Sequence, residues 1–168
     1  MTLALAAKFK DGTLYATDSA LTAGTRQTMT RGKWFEDERH VHLYSGSLWY
    51  AQELTHREGD IRSRLKELYE EHKDDDDVSD SSTNLVSISR GSGDITYWEY
   101  TGAYVDCGDF GGCGSGATMG LALLELIYSK GRSERWLTDW FHRIFDVVQK
   151  YDPGVYGPVR FGKVEHGA

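Results

Sequence analysis

The stretch TLALAAKFKDGTLYATDSA, residues 2–20, decides the fold. Two apolar or alternating runs, residues 3–9 and 14–17, flank Lys10-Asp11-Gly12. An Asp-Gly step between β-like runs is a strong hairpin signal, because its backbone twist matches that of the strands it joins. The hairpin brings Asp18, at the end of its second strand, back toward Thr2.

Working outward, residues 31–35 and 41–44 read as another strand pair around the charged turn EDER. From Ser47 the period changes. Leu48, Ala51 and Leu54, then Ile61, Leu65 and Leu68, follow helical spacing, with Gly59-Asp60 as a break between two helices. The acidic run KDDDDVSDSS, residues 73–82, lacks the ligand spacing and sharp glycine turn of a calcium loop and is expected to be a solvated, mobile loop. Strands are expected over 85–89, 95–100 and 103–106. Ser115 opens a helix whose apolar residues are Met119, Leu123, Leu126 and Ile127, and Ser133 caps a second one. In that second helix Trp136, Leu137, Trp140, Phe141, Ile144, Phe145 and Val148 form a wide apolar stripe that needs a large packing partner. A strand over 159–164 closes the chain.

Strands joined by hairpin turns, with helices segregated in pairs, predict an α+β domain spanning residues 1–168. Its architecture is a four-layer αββα sandwich, two antiparallel sheets flanked by helix pairs. Nineteen Lys and Arg against 26 Asp and Glu give a net charge of −7. That balance argues against sequence-independent nucleic-acid binding and against an anionic membrane surface. No apolar run reaches the roughly 18 residues of a membrane span, and no signal segment is expected, which places the protein in the cytoplasm. Cys107 and Cys113 are expected to be reduced thiols, and the six histidines read as scattered, so neither a metal site nor a cofactor is expected. Trp34, Trp49, Tyr50 and Trp98 are candidates for subunit interfaces, with core packing as the competing role.

Thr2 follows a methionine of the kind that is trimmed before small residues. Trimming would give Thr2 a free α-amine, and an α-amine titrates near pH 7.7–8.0, where it can act as a base toward its own hydroxyl. Asp18 and Lys33, in GKWF, are the charged residues placed to tune such a site. A nearby ammonium favours ionised oxygen and a nearby carboxylate keeps that ammonium charged.

The segments TLALAAKFKDGTLYATDSALTAG, GKWFEDERHVHLYSGS and GCGSGATMGLALLEL, in that order, resemble the β-type subunits of the proteasome. They resemble still more the short bacterial relatives such as HslV, N-terminal-nucleophile (Ntn) hydrolases with a threonine nucleophile. The resemblance implies that Thr2 attacks, with its own amine as proton shuttle. It implies that Asp18 and Lys33 form the charged pair beneath it, that Ser115 supports the amine, and that the Gly46 backbone N–H is the oxyanion donor. Asp152 is the best match to the family's carboxyl-terminal Asp. The family's Ser three residues further on falls here on Val155 or Tyr156, within YDPGVYG. A polypeptide substrate, a homo-oligomeric ring and an ATP-dependent unfoldase are implied as partners. Two competing readings share the fold: a catalytically inactive ring subunit, and an Ntn amidohydrolase acting on a small amide.

Overall fold

The structure, a computed structural model, describes residues 2–23, 26–30, 32–75 and 83–166, without side chains over 22–29. The expected hairpin is present as β1 (Ala4–Phe9) and β2 (Gly12–Thr17), registered Ala4 to Thr17 and Phe9 to Gly12. Strand alternation then divides β1 between two cores. Leu3, Leu5, Ala7 and Phe9 point to one face, and Ala4 and Ala6 to the other.

One sheet runs β10 (Phe110–Cys113), β1, β2, β11 (Arg160–Glu165). The second runs β5 (Trp34–Glu36), β6 (His40–Ser45), β7 (Asn84–Ser89), β8 (Ile95–Trp98), β9 (Tyr104–Asp106). All the pairings within them are antiparallel. A small separate hairpin, β3 (Ala20–Ala23) and β4 (Arg26–Met29), follows Asp18. Four helices occur among the described residues: α1 (Leu48–His56), α2 (Ile61–His72), α3 (Ala117–Ile127) and α4 (Glu134–Tyr151).

Three cores hold the layers together. Between the sheets, Ala4, Ala6, Tyr15 and Val164 meet Val41, Leu43, Val86, Ile88 and Ile95. Outside the first sheet, Leu3, Leu5, Leu14 and Ala16 pack on Leu137, Phe141, Ile144, Phe145 and Val148 of α4. That is the partner its apolar stripe requires, and each fully buried side chain of this size stabilises the fold by about 1.5–3 kcal/mol. Outside the second sheet, Tyr44 and Leu85 pack on Tyr50, Ala51, Leu54, Ile61, Leu65 and Leu68. The result is the expected αββα sandwich.

One expectation is corrected. The buried face of α3 is Ala117, Gly120 and Leu124, whereas Met119 and Leu126 face outward, Leu126 with 82% of its surface exposed. Gly120 explains this: a Cβ there would lie 3.0 Å from Leu3, so the helix approaches the sheet on its small residues. Among the four aromatics, Tyr50 is core, Trp34 packs edge-on against Tyr15 and Trp98 packs half-buried on the core outside the second sheet, while Trp49 is exposed. Of the acidic run, residues 76–82 lie outside the described residues.

Candidate active site

Thr2 stands two residues before the start of β1, and the hairpin's open end fixes its surroundings. The Leu3 amide donates to Asp18 Oδ1 at 2.9 Å, and the Asp18 amide donates to the Leu3 carbonyl at 3.1 Å. This reciprocal pair clamps Asp18 beside Thr2. Lys33 enters from the second sheet, just before β5. Its amide donates to Thr17 Oγ1 at 3.0 Å, and its carbonyl accepts from the Tyr44 amide at 3.0 Å. With the backbone held at both ends, Lys33 Nζ reaches Asp18 Oδ2 at 2.9 Å and Thr2 Oγ1 at 2.8 Å. All three side chains are buried, at 3% exposure or less.

Burial dominates the electrostatics of this triad. It raises Asp18 above the ordinary carboxylate value, against the pull of Lys33 and of the Leu3 N–H. It lowers Lys33 below the ordinary ammonium value, against the pull of Asp18. Each partner is thus pushed toward its neutral form, because desolvation of two buried charges outweighs their attraction. A lysine whose proton is held less tightly, 2.8 Å from a threonine hydroxyl, is well placed to exchange that proton with the oxygen.

The other wall of the site comes from the β10–α3 connection. The Gly116 amide donates to the Thr2 carbonyl at 3.2 Å. Gly114 has φ of +101°, and a Cβ there would fall 2.1 Å from the Thr2 oxygen, so both the backbone angle and the space require glycine. Ser115, between them, donates its hydroxyl proton to Asp152 Oδ2 at 2.6 Å. Asp152 caps the end of α4, and its other oxygen accepts from the Gly154 amide at 2.9 Å. The hydroxyl oxygen of Ser115, its proton committed to Asp152, keeps lone pairs for an N–H donor. Val155, one of the two residues matched to the family's Ser, is fully buried in the outer core, within reach of Gly116, and offers no hydroxyl, whereas the other, Tyr156, carries a buried one. Thr2, Gly46 and Ser115 line one open cleft of about 530 Å³, shared with Tyr97 and Thr118. Gly46, at the end of β6, has φ of +100°.

The overall fold recurs among solved structures. Solved structures similar to this chain include Anbu (Gly-1 mutant) from Hyphomicrobium sp. strain MC1, with TM-score 0.79 and 15% identity over 98% of this chain and 82% of that one. HslV from Trypanosoma brucei matches with TM-score 0.73 and 16% identity, over 98% of this chain and 99% of that one. The Anbu complex from Pseudomonas aeruginosa, solved as a helical assembly, matches with TM-score 0.78 and 15% identity over 97% and 81%. The fold is the one these HslV and Anbu structures share. Neither the protein-family models nor the curated protein sequences match this chain.

The structure thus brings Thr2, Asp18 and Lys33 into one buried triad, joins Ser115 to Asp152, and places Gly46 on the same cleft. Met1 lies outside the described residues. Several contributors were missed at the sequence level. Thr17, which orients Lys33, is recognisable only once the strand pairing is known. Cys113 also lines the cleft, and burial pushes its thiol up to about 12, which makes it inert as a nucleophile. The histidines read as scattered include His40 and His42, and with Asp37 they bring one ligand atom each within 4.8 Å of one another. The available signal was His-x-His on a strand, whose period of two sets both rings on one face.

Proposed function

We propose that this chain is a threonine-type peptidase subunit of a proteasome-like ring, with Thr2 as nucleophile once Met1 is removed. The observation that carries the proposal is Lys33 Nζ, 2.8 Å from Thr2 Oγ1 and 2.9 Å from Asp18 Oδ2, inside a buried triad beside an open cleft. The freed α-amine takes the proton of Oγ1 as the oxygen forms a bond to a substrate carbonyl carbon. The Gly46 N–H stabilises the resulting oxyanion, and Ser115, aligned by Asp152, accepts a hydrogen bond from the amine. Collapse breaks the C–N bond, the leaving amine receives the proton, and an ester remains on Thr2. Water, deprotonated by the same amine, hydrolyses that ester and restores the hydroxyl.

Ring assembly is supported by the exposed apolar residues Met119 and Leu126 on α3, which a lone subunit leaves in water. An ATP-dependent unfoldase and a cytoplasmic setting follow from the resemblance to HslV.

The test is hydrolysis of fluorogenic peptides by wild type and Thr2→Ala, with the intact mass of each preparation. A wild-type mass lacking Met1 and activity abolished in Thr2→Ala are expected. Equal rates in both would exclude Thr2 as nucleophile. A second reading, an inactive ring subunit of the same fold, draws on the altered YDPGVYG segment, where Val155 or Tyr156 stands in place of the expected Ser. It predicts retained Met1, no hydrolysis and an intact multi-subunit particle. An amidohydrolase of the same fold would instead cleave small amides and leave the peptides untouched.

A further inference from the structure

The hairpin that carries Lys33 has a second cluster at its opposite end. Between β5 and β6, the carboxylate of Asp37 accepts the amides of Arg39 at 2.9 Å and His40 at 2.8 Å on Oδ1. Two backbone bonds hold it in one orientation. His40 and His42 alternate along β6 and so share its outer face, with ring centroids 5.5 Å apart. His42 Nε2 lies 3.0 Å from Asp37 Oδ2, and His40 Nδ1 lies 3.6 Å from Asp37 Oδ1. The two imidazoles thus meet different oxygens of one carboxylate, and one ligand atom from each of the three residues lies within 4.8 Å of the others, against about 3.3 Å between tetrahedral ligands 2.0–2.1 Å from a zinc ion.

The surroundings fit the same purpose. Ser87 Oγ, on the neighbouring strand β7, lies 2.6 Å from His42 Nδ1 and turns Nε2 toward Asp37. A partner on the far ring nitrogen is the usual means of aiming a metal-binding imidazole. His42 is fully buried, while Asp37 and His40 are 23% and 35% exposed and border an open cavity of about 1080 Å³ between α2 and the second sheet. One side of the cluster is therefore dry and the other is open to water. Arg64 Nη2 lies 3.8 Å from Asp37 Oδ2 and competes with any cation for that oxygen, and Arg39 and Arg62 line the same cavity.

We propose that Asp37, His40 and His42 bind a divalent transition-metal ion of the zinc class, with water from the cavity as fourth ligand. Two imidazoles exclude calcium and magnesium, which take oxygen ligands. In the metal-free protein the bond between His42 and Asp37 carries the Nε2 proton. The ion replaces that proton, which leaves to solvent as the Zn–N bond forms. The metal would tie the β5–β6 turn to the strand behind it.

Untagged protein, stripped with chelator, is dialysed against zinc chloride and its metal content measured. Separately, cobalt(II) is added and its visible absorption recorded. One zinc per chain and the intense visible bands of a tetrahedral cobalt site are expected. Ser87→Ala should weaken zinc binding by about 10–100-fold, as loss of an orienting partner does at other metal sites. His40→Ala, at a half-exposed position, should weaken it at least as much, with circular dichroism confirming the fold. Arg64→Gln should tighten it by removing the competing cation. Wild type that retains no zinc, or His40→Ala that retains as much as wild type, overturns the proposal. None of these readouts depends on peptide hydrolysis.

Discussion

At the scale of single residues, Lys33 and Asp18 make the sharpest case. An exposed ion pair contributes about 0–1 kcal/mol, but this one is at most 2% exposed. Asp18→Ala would strand a buried ammonium, and such removals cost about 3–5 kcal/mol. Urea unfolding of wild type and variant measures this, and a loss under about 1 kcal/mol would place the pair with surface ones. If the proposed chemistry operates, pH dependence follows with a definite sign. The rate rises as the Thr2 amine loses its proton, near pH 7.7–8.0 if unperturbed. It falls again as the Lys33 ammonium is lost, and because burial lowers Lys33, that limb lies below 10.5. A pH–rate profile that still rises beyond 10.5 would show that the ammonium form is not needed. Thr2, Asp18 and Lys33 were legible in sequence because each sits at a strand end set by a short local pattern. The partnership of Asp37, His40 and His42 with Ser87 was not, because a linear search for metal-ligand spacing passes over a serine 45 residues away.

At the scale of elements, alternation in β1 and the stripe on α4 could be read directly, since each periodicity maps onto one face. β10 escaped because FGGC has little strand propensity of its own, and its pairing with β1 imposes the conformation. The glycines there are required by contact: a Cβ on Gly112 would lie 2.8 Å from the Ala4 carbonyl. β3 and β4 escaped for a similar reason, being short and poor in bulky strand formers. The same logic makes Gly114 a probe of the site. Gly114→Ala adds a methyl where Thr2 already stands and forces φ near +101° on an alanine. A conformation so disfavoured costs of order 1–3 kcal/mol. Thermal unfolding should therefore show a lowered Tm, and any peptidase activity should fall further than stability alone predicts. An unchanged Tm would mean that the loop relaxes freely.

At the scale of the molecule, the four layers were foreseeable from the order of hairpins and helix pairs. The outward face of α3 was not, because apolar residues occupy both of its sides and sequence cannot say which one meets the sheet. Leu126, on the exposed side, offers a test of assembly that spares the fold. Wild type is expected to run as a multi-subunit particle in size-exclusion chromatography with light scattering. Leu126→Glu is expected to shift it to smaller species with unchanged circular dichroism. A monomeric wild type would remove the ring from the proposal.

The clamp between Leu3 and Asp18 bears on how the protein should be handled. Thr2 lines the cleft, so residues fused ahead of it are attached at its wall. β11 runs antiparallel to β2 from Arg160, opposite Thr17, to Glu165, opposite Gly12. The chain therefore departs at the far end of the sheet, beside the first hairpin turn. An affinity tag belongs after that strand, since one placed before Thr2 would tie up the α-amine that the proposed chemistry uses.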